Sequence, residues 1–231
     1  MNEFDVLVVG AGPSGAEAAR ALARRGLAVG LVSNSLDSVY RLEEAPTGEA
    51  PAGSLLAEVW SSDPWTLHRR AKYDLEATAG LHLFQSAVAE LLVERGEVRG
   101  VRTWEGLAYH AGAVVLAVGS FLGAELRSGA LREAAGRWGE AAYPELLENL
   151  RELGFSFGPE VFQVAASTSR PAYEVHFQRF ADGEWDAASG RLERLGRLYA
   201  VGRVVAGHAP ATARAAAGLW LGSRLEPAVD S

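Results

Sequence analysis

The chain has 231 residues, 48% hydrophobic and 22% charged, with a formal net charge of -7 at pH 7. That balance is the composition of a folded globular protein with room for one sizeable core, and the acidic charge argues against a broad basic face for nucleic acid, because neutralised phosphates supply most nonspecific affinity. No cysteine occurs, which excludes disulfides, thiolate metal sites, redox dithiols and a cysteine nucleophile from the chain's own chemistry.

In chain order, "DVLVVG" at residues 5–10 is a short Val-rich run ending on glycine, as expected of a strand buried on both faces. "PSGAEAARALARR", 13–25, has helical spacing and stops at Gly26. "LAVGLVS", 27–33, reads as a second strand. Residues 34–65 read as a long loop with one short helix near 53–60, and 67–79 as a helix. A strand begins after Gly80. Three β-type runs follow, separated by Arg95-Gly96 and Glu105-Gly106, which predicts a meander ending in the apolar strand 113–119. Helices are expected over 124–136 and 143–153, β-like pieces at 161–166 and 172–178, a strand to Val201, and an Ala-rich helix to about Leu225.

Gly10, Gly12 and Gly15 stand at the spacing G-x-G-x-x-G between the first strand and the first helix. There Gly10 permits a tight turn, Gly12 lets backbone approach a pyrophosphate, and Gly15 lets the helix lie close to the sheet. The helix N-terminus adds unpaired N–H groups and partial positive charge, so a dinucleotide is expected. An acidic residue some 20 positions on usually bonds the ribose. Ser33 and Asn34 hold that place here, and they leave FAD and NAD both open.

The stretches "FDVLVVGAGPSGAEAARALARRG", "LVSNSLDSVYRL", "FQSAVAELLVERGEVRGVRTWEGLAYHAGAVVLAVGSFLGAEL" and "YAVGRVVAG...ARAAAGLWLGSRL" resemble the FAD-binding domain of the glucose-inhibited division protein A family. The likeness covers most of residues 4–125 and again 172–225, and its most specific part runs from Phe84 to Leu126. It implies an α/β fold, a Rossmann-like (glutathione-reductase-like) parallel sheet with a small β-meander and a mixed appended segment. One FAD-binding domain would span 1–231, with 1–125 and 195–226 as the core and 126–194 appended.

By the same resemblance, Gly10, Gly12, Pro13, Ser14 and Gly15 would face the pyrophosphate, Ser33 and Asn34 the adenosine ribose, and the Val88 backbone the adenine edge. Gly119 would end a strand beside the cofactor. Gly202 and Arg203 would approach the ribityl and pyrophosphate part, and Ala211 and Thr212 would begin a helix directed at the flavin ring. Full-length members use FAD and a partner GTPase to modify the wobble uridine of certain tRNAs. They also carry catalytic cysteines, a large insertion and a helical C-terminal region. In "SLDSVYRLEEAPTGEAPAG" Glu44 stands where the first cysteine would be, and a carboxylate is a far poorer nucleophile toward carbon than a thiolate.

Two functions therefore stand side by side. One is a flavin-dependent redox component of tRNA modification, aided by a protein partner; the other is a non-catalytic binding or assembly module in which FAD is structural. Glu43, Glu44 and Glu49 are either acid–base groups beside the flavin or, as charged runs in loops usually are, solvated. Arg203 is either a cofactor ligand or half of a surface ion pair. Arg69, Arg70 and Lys72 form the one compact basic cluster, a face open to RNA or simply to water, and tRNA is a partner the acidic charge does not favour. No second glycine fingerprint is visible, so any nicotinamide would bind without its own Rossmann domain. His68, His82, His110, His176 and His208 lack metal-ligand spacing, so no metal is expected. The absence of a membrane-length apolar run and of a signal-like start leads to the expectation of a cytoplasmic protein.

Overall fold

The computed structural model describes residues 3–168 and 170–227. Its strands are β1 (Glu3–Val9), β2 (Val29–Ser33), β3 (Leu81–Gln85), β4 (Val88–Glu94), β5 (Glu97–Thr103), β6 (Ala108–Leu116), β7 (Glu125–Ser128), β8 (Leu131–Glu133), β9 (Ala135–Arg137), β10 (Glu140–Ala141), β11 (Phe157–Val164), β12 (Tyr173–Phe180) and β13 (Leu198–Ala200). The α-helices are α1 (Pro13–Arg24), α2 (Leu55–Val59), α3 (Pro64–Ala77), α4 (Glu145–Glu152), α5 (Arg203–Ala206) and α6 (Ala211–Arg224).

The large sheet runs β3-β2-β1-β6-β5-β4. β1, β2, β3 and β6 are mutually parallel. Residues Val6–Val9 are at most 4% exposed, which is why the run carries no alternation of polar side chains. β6 serves three neighbours: β1 along most of its length, β5 antiparallel through Ala108–His110, and β13 parallel through Val114–Leu116. The two turns of the meander hold Arg95, Gly96 and Gly106 at positive φ, a conformation that the two glycines favour. Helices α1, α2, α3 and α6 cover one face of the sheet; α4 and side chains of β4 and β5 join the core on the other.

The predicted helix over 124–136 is corrected: this stretch forms β7, β8 and β9. β7 and β8 join β12 and β11 in an antiparallel sheet of order β11-β12-β7-β8, with a core of Leu126, Phe162, Tyr173, Val175 and Phe177. Leu, Ala, Arg and Glu dominate 124–136 and favour helix locally, but pairing with the strongly β-forming "YEVHFQRF" of β12 prevails. The expected helix at 143–153 is α4, and a short helix at 203–206, absent from the sequence reading, follows Gly202 at φ +83°.

α1 and α6 cross at a seam of small residues. A Cβ at Gly218 would lie 2.1 Å from the Ser14 carbonyl oxygen, and one at Gly222 would lie 2.5 Å from that of Ala18. The Ser14 hydroxyl donates to the Arg214 carbonyl at 2.9 Å across the same seam. Only glycine admits the close approach.

The 34–65 segment is anchored by one buried carboxylate. Glu17 of α1, 1% exposed, accepts from Tyr40 Oη at 2.6 Å and from the Leu55 and Leu56 N–H groups at 2.8 and 2.9 Å. Burial raises its pKa, and these three hydrogen bonds oppose the rise. The segment therefore lies fixed against α1, with Ser38 lining one cleft and Arg41, Leu42 and Glu43 lining a second.

Candidate functional site

The C-terminal ends of β1, β2, β6 and β13 open into one cleft, the place where open α/β sheets bind ligands. Gly10 turns the chain out of β1 at φ +104°, and a Cβ there would meet the Ala117 carbonyl oxygen at 2.5 Å. At Gly12, by contrast, a Cβ would find no atom within 4 Å, so the glycine faces open space. Gly15 lies beneath the turn, where a Cβ would strike the Gly10 carbonyl oxygen at 1.9 Å. No side chain caps the N-terminus of α1, which leaves its first N–H groups available to an anion.

Of the residues named from sequence, Gly10, Gly12, Pro13, Ser14, Ser33, Asn34, Gly119, Gly202 and Arg203 all line this cleft. Val88 lines an adjoining one, which shares Asn34, Val9, Val118 and Phe121 with the first. Gly15 packs under the floor. Ala211 and Thr212 begin α6, also without a side-chain cap, but line neither space.

Sequence reasoning missed the charged wall. Arg137 at the end of β9, Arg203 at the start of α5 and Arg214 in the first turn of α6 all line the cleft. They converge on Glu43, whose side chain is 8% exposed, at 3.3, 3.1 and 3.9 Å respectively. Arg203 also lies 4.2 Å over the Phe162 ring, a cation–π contact that holds its guanidinium plane. Arg137 turns a second face to Glu140 at 3.3 Å. Two alternatives that the sequence left open are closed here: Glu43 is not a solvated loop acid, and Arg203, 6% exposed, is not half of a surface pair. Glu44 and Glu49 are exposed, as expected of loop acids.

Burial alone would push the Glu43 carboxyl up, but the charges of Arg137, Arg203 and Arg214 outweigh it and hold the group well below the ordinary carboxylate range. Burial pulls Arg214 down to about 10, with Arg203 adding to the fall. Burial would lower Arg137 as well, yet Glu43 and Glu140 reverse the direction. The Nε atoms of all three arginines are buried without a hydrogen-bond partner. Three guanidiniums against Glu43 and a shared Glu140 leave the wall undercompensated in positive charge, beside an uncapped helix N-terminus.

Other sequence candidates fall outside the cleft. Among the described residues no cluster of His, Asp and Glu could hold a metal. Lys72 pairs with Glu76 at 3.8 Å, and Arg70 donates to the Trp60 carbonyl. No helix among the described residues is long and apolar enough to cross a membrane.

A parallel-dominated sheet, a glycine turn feeding a helix, and a cleft at the strand ends define a Rossmann-like α/β fold. The model of the family "Glucose inhibited division protein A" matches residues 5–59 and 51–167, and the chain belongs to that family. The tRNA uridine 5-carboxymethylaminomethyl modification enzyme MnmG of Chlamydia muridarum is 32% identical over 190 residues, covering 68% of this chain and 31% of the enzyme. That of Treponema denticola is 31% identical over 200 residues, with shares of 68% and 32%. This chain thus spans about a third of the length of the enzymes it matches. Among solved structures, the GidA-related protein from Thermus thermophilus superposes with a TM-score of 0.89 at 44% identity, covering 95% of this chain and 96% of that one. Aquifex aeolicus GidA shares the fold, with a TM-score of 0.85 at 16% identity over 96% of this chain and 62% of that one.

Proposed function

We propose that the chain binds FAD in the strand-end cleft and serves as a flavin-dependent redox component in the modification of a tRNA uridine. The observation that carries this reading is the meeting of an open glycine turn with an undercompensated arginine wall, in a member of a family whose matched relatives are named for that modification. The residues fit the cofactor. The space above Gly12 and the uncapped start of α1 suit a pyrophosphate, and Arg137, Arg203 and Arg214 add charge beside it. Ser33 and Asn34 offer hydrogen bonds to a ribose, the Val88 backbone in the adjoining space is assigned to the adenine edge, and Gly119 and Gly202 keep the wall free of side chains. Ala211 and Thr212 start the helix whose positive end would favour an anionic part of the bound group.

When bound, FAD would supply the electron-transfer chemistry. Glu43 stays ionised through the neutral range, so it neither gives up a proton there nor readily takes one; it holds three guanidiniums in place. The chain has no cysteine, so any thiol step falls to a protein partner. Gly12→Asp tests the reading. The new carboxylate would stand where phosphate charge is expected, and repulsion of about 4 kcal/mol at an effective dielectric near 20 lowers FAD affinity by at least about 100-fold. The open space at Gly12 leaves thermal stability nearly unchanged. Equal FAD affinity in the variant and the parent chain would overturn the assignment.

A further inference from the structure

Behind the Glu43–Arg137 pair lies a second cleft, of about 410 Å³, between residues 41–43, the start of α3, the end of β9 and the start of β12. We propose that it binds a flat aromatic ring carrying an anionic substituent. Its walls are Trp65, Trp138 and Tyr173, interleaved with Arg41, Arg137 and Arg170. Trp65 is 50% exposed, a large apolar area left facing water inside a concavity. Trp138 and Tyr173 lie 5.9 Å apart, tilted, and make a second aromatic surface. The guanidinium of Arg41 is 5.8 Å from the Trp65 ring centre, and that of Arg170 is 5.1 Å from the Tyr173 ring centre. Such pairs offer a stacking platform and a cation at one place.

Three arginines face two carboxylates in this lining, Glu43 and Asp63, and both carboxylates are already engaged. Asp63 is engaged by the Trp65 and Thr66 N–H groups and the Thr66 hydroxyl at the start of α3. Glu43 is held by the arginines of the first cleft, and Glu140 is shared by Ser38, Arg41 and Arg137. Arg170 donates only to the carbonyls of Ala165 and Glu43 and meets no carboxylate among the described residues. A ligand entering here meets aromatic faces and three guanidinium groups, with Arg170 the one that faces no carboxylate among the described residues. The volume suits a bicyclic ring, being within the range of small-molecule sites.

The site stands on its own geometry and does not depend on FAD binding in the first cleft. Isothermal titration of the whole chain with 2-naphthoate and with 2-(aminomethyl)naphthalene, which share a ring and differ in the sign of charge, tests it. The expected result is one naphthoate per chain, little or no binding of the cation, and no displacement by saturating ADP. Arg170→Gln and Trp65→Leu should each weaken naphthoate by at least about tenfold, at a melting temperature close to the parent's because Trp65 is half exposed. Absence of naphthoate binding, equal affinity for both charges, full competition by ADP, or unchanged affinity in both variants would overturn the proposal. A chain that takes naphthoate but neither ADP nor FAD would sink the cofactor reading and leave this one standing.

Discussion

The floor of the first cleft and its wall each bury a carboxylate, and they do so in opposite ways. Under the floor, Glu17 meets a phenol and two backbone N–H groups, and burial moves its pKa upward. In the wall, Glu43 meets three guanidiniums, and their charge overrides burial and moves its pKa downward. The first arrangement satisfies hydrogen bonds and locks a long segment onto α1. The second leaves spare positive charge and three orphaned Nε atoms beside an open glycine turn. A buried acid is thus a structural rivet in one region and the counter-ion of an arginine-lined cleft wall in the other, and the neighbours, not the burial, decide which.

Breaking the wall should have the largest effect on stability. Glu43→Gln strands the arginines in the interior, and loss of one partner from a buried ion pair costs about 3–5 kcal/mol. Urea denaturation should show this loss, whereas Glu44→Ala, one residue along and exposed, should leave the midpoint unmoved. The contrast also has a pH signature. Glu43 is depressed in the folded state, so its contribution is complete above its unfolded value, about 4.3, and is lost as pH falls toward the folded value. Glu17 is raised, so its contribution is complete below the unfolded value and is lost as pH rises through the folded one. The acid-side fall in stability should therefore be shallower in Glu43→Gln than in the parent. An unchanged slope would mean the wall does not hold Glu43 ionised.

A smaller effect is expected beneath the floor. Gly218→Ala would drive a methyl group into the Ser14 carbonyl, and forcing α1 and α6 apart should cost about 1–3 kcal/mol. Because Ser14 also lines the cleft, this variant should weaken cofactor binding along with stability. Thermal melts with and without added FAD would check both.

What could be read from the sequence follows the range of the interactions. The unit from β1 through α1 to β2 is specified by adjacent residues, a valine run, three glycines and an alanine-rich helix, and it was legible. So were the meander turns, where Arg95, Gly96 and Gly106 adopt positive φ. The stretch 124–136 was not, because its helix-favouring composition is overruled by pairing to β12, where Arg127 lies opposite Glu174, a separation that no local window contains. The arginine wall was hidden for the same reason: Arg137 and Arg203 reach Glu43 across 94 and 160 positions. An acid in a loop, a glycine-following arginine and an arginine in an alanine-rich helix are each ordinary alone. Only the fold brings them together.

That the strand-end cleft holds FAD is tested most directly by the visible absorption spectrum of the purified chain, followed by denaturation and identification of any nucleotide released. Oxidised-flavin bands are expected, either as purified or after FAD is added, with FAD recovered on unfolding. A colourless protein that also declines added FAD would contradict the assignment.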